Sequence, residues 1–321
     1  MHCIKRKIKI ILLFLSLTIS GYSKNPQILF SDNKLFSDTL KLLQNSQSAN
    51  RNRIHALNYS IAGMYGLSMT WLYYQWYDNY SRSPFHFFND NSEWEQMDKF
   101  GHLWDAYNIA KPLMHCYRWA GYDENKATLY GAGISFLFLT TVEIFDGFSS
   151  QWGFSSGDLL SDAGGIALFT GQQFYWNEQR IVLKYSFHQT EYSKYNPQLL
   201  GSRLSENILK DYNGLTYWLT VNPRSFFKNS SFPKWISLAF GYGAQGMTGG
   251  EKNPLTVDGK NVPAFERYRQ YYFSIDFDLA RIQTKNKFLN SIFKVINIVH
   301  LPAPAIELSN GRKPVYHKLY F

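Results

Sequence analysis

At 321 residues the chain is long enough for one large domain or two ordinary ones. Charged residues make up only 18% and aromatics another 18%, a balance that suits half-wet, half-apolar surfaces and is unusual for a cytosolic enzyme. The net charge of +9 includes Lys5, Arg6, Lys7 and Lys9; without residues 1–23 it falls to about +5, too mild to argue for a nucleic-acid partner.

Residues 1–23 read as a secretory signal peptide: a basic start, an apolar run over 10–19, and small residues at Gly21 and Ser23. The run is well short of the ~20 residues that span a bilayer, which favours cleavage over an anchor helix. Cys3 lies in the basic part, so Cys116 is the one cysteine of the processed chain. It can form no internal disulfide and reads as a small buried apolar residue.

Residues 24–52 form a polar segment. A first helix is expected over 53–77, with Gly63, Gly66 and Ser68 permitting close approach of a neighbour. Its aromatic end, from Trp71 to Tyr77, fits either a membrane-interface anchor or an ordinary buried helix. Pro84 interrupts the connection that follows, and Asn89, Asp90, Asn91 and Ser92 are good N-cap residues for a second helix running to Trp119. Gly121 suits its C′ position. Asp123 caps a third helix ending near Gly147, and Ser155-Ser156-Gly157-Asp158 opens a fourth that continues to Trp176. Three of these four helices have apolar stretches shorter than a full span, and a mean hydropathy of -0.31 argues against a polytopic inner-membrane protein.

From about residue 179 the period changes to two. Alternation is clear over 181–188, 236–243, 269–279 and 315–321, and residues 215–221 are rich in strand formers. Residues 247–265 are turn-rich and read as a loop. A last strand ending in Phe321 resembles the C-terminal signature of outer-membrane β-barrels, but five or six strands are fewer than the eight of the smallest such barrels. The expected class is α+β: a signal peptide (1–23), a polar segment (24–52), a bundle of about four helices (53–178), membrane-associated or membrane-embedded, and a β-rich region (179–321).

The chemistry concentrates in three pairs at helical spacing: Asp98 with His102, Glu143 with Asp146, and Asp158 with Asp162. Asp98 has an alternative role as a first-turn acid and Asp158 as part of a capping box. Glu143 and Asp146 sit in a last turn, where acids oppose the helix dipole and call for a partner. Asp162 lies a turn inside its helix, beside Gly164 and Gly165, where another backbone is expected close by. The sharper set is therefore Glu143, Asp146, Asp162 and His102, as ligands of a possible divalent metal ion, with Asp98 and Asp158 in support. The same groups suit general acid and base chemistry, or a structural polar core with Lys99 and Arg118 as countercharges. Structure or binding is placed ahead of catalysis. His86, His188 and His317 show no ligand spacing, and there is no nucleophile elbow or phosphate-cradling loop.

Several of these stretches carry a resemblance. Phe87-Phe88-Asn89-Asp90, Glu93-Trp94, Met97-Asp98-Lys99-Phe100-Gly101-His102, Glu143-Ile144-Phe145-Asp146-Gly147, and Ser156-Gly157-Asp158 with Asp162 and Gly165 resemble the YfiM-like family, described as periplasmic lipoproteins of unknown function. Lys210-Asp211-Tyr212-Asn213-Gly214, Thr216-Tyr217-Trp218-Leu219 and Gly241-Tyr242-Gly243 resemble its longer forms from Bacteroidota. The chain departs from the family in lacking a cysteine after the apolar run. A weaker likeness, through Asp98 to His102 and Asp158 to Gly165, is to VanZ-like membrane proteins. The resemblance implies an exported protein of the periplasm or outer membrane of a Gram-negative bacterium, with no established reaction. Its expected partner is a membrane lipid or an envelope protein, and the expected role is a non-enzymatic binding or structural component. The alternative is a metal-assisted hydrolase acting on a lipid or cell-wall intermediate. The sequence leaves the oligomeric state open.

Overall fold

The structure, a computed structural model, describes residues 45–321 apart from residue 79. The expected signal peptide and most of the polar segment lie outside the described residues. The class is α+β: among the described residues four long helices come first, and an antiparallel sheet with four shorter helices in its connections follows.

Helix α1 spans Arg51–Leu72 and continues into a π-helical turn over Tyr73–Tyr77. Asn50 caps it by accepting from the Arg53 amide at 3.1 Å. Helix α2 (Met97–Trp119) is the central rod of the bundle. Helices α3 (Glu124–Gly147) and α4 (Ser156–Trp176) pack along it, each opened by its expected cap, Asp123 and Ser155. Two glycines set these crossings. A Cβ on Gly131 would lie 2.7 Å from the Ala110 carbonyl of α2, and one on Gly165 would lie 2.3 Å from the Leu103 carbonyl. Tyr107, Ala110, Met114, Ala132 and Phe169 form the packed core between the three helices. Cys116 belongs to this core, and burial pushes its thiol up to about 11. Among the described residues one helix, α3, is long and apolar enough to cross a bilayer, with a third of its most apolar stretch buried in the protein.

The start of α2 departs from the sequence expectation. Residues 89–92 do not cap it; a short 3-10 turn, Glu93–Gln96, intervenes, with Trp94, Glu95 and Gln96 all at positive φ (49°, 51° and 65°). Left-handed backbone costs roughly 1–2 kcal/mol per non-glycine residue. Contacts offset it here: Glu95 pairs with Arg267 and Arg269, and the Trp94 ring packs on Tyr212.

The second half builds one six-stranded sheet and a small hairpin. Its strands are β1 (Ile181–Phe187), β2 (Leu215–Val221), β3 (Ile236–Gln245), β4 (Thr256–Val257), β5 (Lys260–Asn261), β6 (Tyr268–Phe277), β7 (Ala303–Ser309) and β8 (Val315–Tyr320). The large sheet runs β1-β2-β3-β6-β7-β8, all antiparallel, and β4 pairs with β5 inside the expected loop. Short helices α5 (Pro197–Leu200), α6 (Leu204–Lys210) and α7 (Pro223–Phe226) fill connections, and α8 (Lys287–Ile296) precedes β7. Bundle and sheet are joined through α2: the Tyr107 hydroxyl donates to the Ile181 carbonyl, Asn108 donates to the Leu183 carbonyl, and Trp104 packs edge-on against Tyr185.

Candidate functional site

Helix α2 presents Asp98, His102 and Asp105 on one face at spacings of four and three, toward the end of the bundle where α3 finishes and α4 begins. The side chains meet at the floor of a cleft of about 480 Å³. Its walls include Trp71, Trp76 and Tyr77 from the end of α1, Phe138 and Val142 from α3, and Tyr212 and Tyr217 from the second half.

Lys99 is the hub. Its ammonium lies 2.7 Å from Asp90, 2.7 Å from Asp158 and 3.2 Å from Asp98. Gly157 makes room for it: a Cβ there would meet Asn91 Oδ1 at 2.1 Å and Lys99 Cε at 3.1 Å. Asp98 also accepts from the Tyr212 hydroxyl at 2.5 Å. Ser155 ties two elements together, donating its hydroxyl to Asp90 at 2.6 Å and its amide to Glu143 Oε2 at 3.1 Å.

His102 is held from the other side. Its Nδ1 lies 3.1 Å from Asp162 Oδ1, and its Nε2 faces Glu143 Oε1 at 3.6 Å and Asp158 Oδ1 at 3.8 Å. The Asp162 contact orients the ring, leaving Nε2 as the atom turned to the other carboxylates. Asp98, His102 and Asp158 each offer a ligand atom, and these three atoms lie within 4.8 Å of one another. Glu143 Oε1 and Asp162 Oδ2 are buried without a hydrogen-bond partner.

The electrostatics follow from too many acids in one place. Burial pushes Glu143 up to about 7, and Asp105 likewise to about 7. Burial also raises Asp162. For Asp158, burial and the negative charge of Asp98 outweigh Lys99 and His102, so it too is raised. Burial and Glu143 raise Asp146 well above the carboxylate range. Asp98 is the exception: burial opposes its charge, but His102, Lys99 and the Tyr212 hydroxyl outweigh that and lower it. Burial disfavours the imidazolium of His102, yet the Asp162 hydrogen bond and the charges of Asp158 and Asp98 raise it well above its usual range. Lys99 is raised in the same way by Asp98 and Asp158 against the pull of burial. The floor thus gathers more buried carboxylates than Lys99 and His102 can balance, and of Asp98, Glu143, Asp146, Asp158 and Asp162 all but Asp98 are pushed up. A bound cation would let them release protons.

The six residues singled out in the sequence divide here. His102, Glu143, Asp158, Asp162 and Asp98 surround one point. Asp146 lies outside that group of ligand atoms but also lines the cleft, where its Oδ1 accepts from the Tyr77 hydroxyl at 2.7 Å. Arg118 is not a countercharge of this floor, since it pairs with Glu124 near the other end of α2. Sequence reasoning missed Asp90, Asp105, Tyr77 and Tyr212. Asp105 was within reach, because it continues the face defined by Asp98 and His102. Asp90 and the two tyrosines are brought in by separate segments, and no local spacing marks them.

Comparison with known proteins gives one match. Residues 85–171 match a family described as "predicted periplasmic lipoprotein (DUF2279)". The matched stretch runs from Phe85 across α2 and α3 into α4, and so contains Asp90, Lys99 and every charged residue of the cleft floor discussed above. It supports an exported, periplasmic envelope protein. No curated protein matches the chain, and no solved structure does.

Proposed function

We propose that the chain is a membrane-associated envelope protein of a Gram-negative bacterium whose cleft floor binds a divalent cation through Asp98, His102 and Asp158. One observation carries this reading: three ligand atoms of suitable chemistry converge within 4.8 Å, beside two buried carboxylate oxygens that have no hydrogen-bond partner. Two carboxylates and an imidazole suit a hard or borderline ion such as Mg²⁺, Mn²⁺ or Zn²⁺. Glu143 and Asp162 then act behind the ligands, with Asp162 fixing the His102 ring and Glu143 supplying negative charge. Lys99 already neutralises part of the same shell, so the ion shares Asp98 and Asp158 with an ammonium. In this reading the helical region (53–178) is the YfiM-like binding unit, in the long form of Bacteroidota, and the β-rich region (179–321) closes the cleft through Tyr212 and Tyr217. The role is binding or structural, with a lipid or an envelope protein as partner.

A second reading is favoured by one feature. Glu143 Oε1, buried without a hydrogen-bond partner beside His102, is placed to act as general base toward a water on the bound ion, which fits metal-assisted hydrolysis of a lipid or cell-wall intermediate. Elemental analysis of the purified protein tests the shared premise. Stoichiometric metal that disappears in an Asp98→Asn, Asp158→Asn variant supports both readings. A metal-free protein that does not take up Mg²⁺, Mn²⁺ or Zn²⁺ on dialysis sinks both. Of the two, hydrolysis additionally requires turnover that His102→Gln abolishes.

A further inference from the structure

The six-stranded sheet is inverted. In a water-soluble antiparallel sheet the apolar face packs inward and the polar face meets solvent. Here the buried face is mixed: beside a cluster of Trp218, Ala239, Tyr272, Ala305 and Tyr320 it carries Lys184, Ser186, Thr216, Thr220, Gln270 and Asp276. These groups are satisfied internally: Lys184 reaches Asp276 at 2.7 Å, Thr216 meets the Tyr320 hydroxyl at 3.0 Å, and Gln270 donates to Glu307 at 2.8 Å. The Thr216–Tyr320 contact brings β8 over β2, so the sheet curls around its polar side. On the β1 side, residues 298–300 pair with Tyr185 and carry His300 onto Trp218 and Asp276.

The opposite face is apolar: α2 covers its β1 side and most of its tyrosine row, and the remainder is exposed. Leu219, Phe240, Phe273 and Ile306 are direct cross-strand neighbours in one row, and Leu238 pairs with Ile275 in the next. Their exposures run from 38% for Ile275 to 48% for Ile306. A contiguous field of large apolar side chains left in water is a driving force for association.

We infer that this face lies in the acyl chains of a lipid bilayer. The order of residues along the strands identifies the occupant. One end of the apolar band is a row of tyrosines, Tyr185, Tyr217, Tyr242 and Tyr271, of which the first three pack toward α2 and Tyr271 is exposed. The other end carries Trp235, stacked on Phe277, with exposed Phe226 and Phe227 nearby in sequence to exposed Lys228 and Lys234. Exposed aromatics followed by basic side chains, as at this second end, are the layout of a membrane interface. From Tyr271 to Phe277 is six residues, about 20 Å of strand, against the ~25 Å apolar band of membrane-embedded sheets. Charge returns just outside the tyrosine row, where Arg269 pairs with Glu95. Apolar exposure also continues on α3 at Leu129 and Leu137 and on α4 at Leu160 and Phe174, so it is not one partner-sized patch. The inference deepens the membrane association proposed above and is independent of the cation.

The test uses full-length protein, with Cys3→Ser and Cys116→Ala as background, reconstituted in phosphatidylcholine–phosphatidylglycerol vesicles. Single cysteines at Leu238, Phe273 or Ile306, and at Thr220 or Ser274 on the polar face, carry a bimane label. Spin-labelled lipid is expected to quench the first three and to leave the last two at their unquenched intensity. Equal quenching on both faces, or none on the apolar face, overturns the inference. Copper-catalysed dimer formation through Phe273→Cys without lipid quenching also overturns it, by assigning the face to a second copy. Metal content of the same preparation reports on the cleft alone, so either reading can fail without the other.

Discussion

Replacing Lys99 with methionine tests the charge arrangement of the cleft most fully. Methionine keeps the apolar stem that passes Gly157 and removes only the ammonium. Three carboxylates within 3.2 Å then lose their cation, and the side chains involved are between 5% and 24% exposed. Breaking a largely buried pair by removing one partner costs about 3–5 kcal/mol, because the remaining charge is stranded. At about 2–4 °C per kcal/mol for a protein of this size class, the melting midpoint should fall by roughly 6–20 °C. The loss should be partly recovered by a divalent ion, since a ligand at a hundredfold excess over its Kd stabilises by about 2.7 kcal/mol. Thermal melts of wild type and Lys99→Met, with chelator and with metal, provide the assay. A midpoint within 2 °C of wild type in chelator would refute the reasoning, showing that the three carboxylates do not depend on Lys99.

Other consequences follow from the same geometry. Glu143 is held up at about 7 chiefly by burial, against an unfolded value near 4.5, so the folded state binds its proton more tightly. Its contribution is present at low pH and is lost as pH rises through 7; His102, also raised, acts in the same direction. Metal-depleted protein should therefore melt lower at pH 8 than at pH 5.5, and Glu143→Gln should flatten that slope; a wild-type midpoint that rises over this interval would contradict the assignment. Helix packing offers a separate check. Gly165→Ala should destabilise by about 2 kcal/mol or more, because its Cβ meets the backbone of α2 at 2.3 Å. Gly164→Ala, whose nearest neighbour is a leucine methyl at 3.6 Å, should be neutral or gain up to about 1 kcal/mol of helix propensity. Denaturant melts of the two variants should separate them, and equal effects would count against the close α2–α4 crossing.

The helices were legible because their ends carry chemical signals. Asp123 and Ser155 each cap a helix where the sequence places the start, and Gly121, at φ 97°, closes α2. The strands of the large sheet were legible from alternation or, for β2, from strand-forming composition, with one exception. Strand β7 begins Ala303-Pro304-Ala305, which lacks β-branched residues, and its register slips between Ala303 and Ala305, where a proline is tolerated. Alternation also separates two faces without saying which is buried. Over 269–277 the aromatic and aliphatic positions invite an inward reading, and the structure turns them outward. In the cleft, Asp158 shows why local explanations mislead. Its amide donates to Ser155 Oγ, as its position at the start of α4 implies, while its carboxylate remains available to Lys99 and His102. A capping role and a ligand role are compatible in one residue. Asp146 shares the face of Glu143, as a spacing of three implies, and lines the cleft, while Tyr77, in the turn after α1, donates to its carboxylate. Convergence of distant segments is a property of packing that helical spacing alone does not encode.

The central claim is that Asp98, His102 and Asp158 bind one divalent ion. Calorimetric titration of the metal-depleted, full-length protein with Mn²⁺ or Zn²⁺ addresses it most directly. The account predicts one site per chain, lost in the Asp98→Asn, Asp158→Asn variant and retained in Asp146→Asn. The absence of saturable binding, or equal binding by all three proteins, would contradict it.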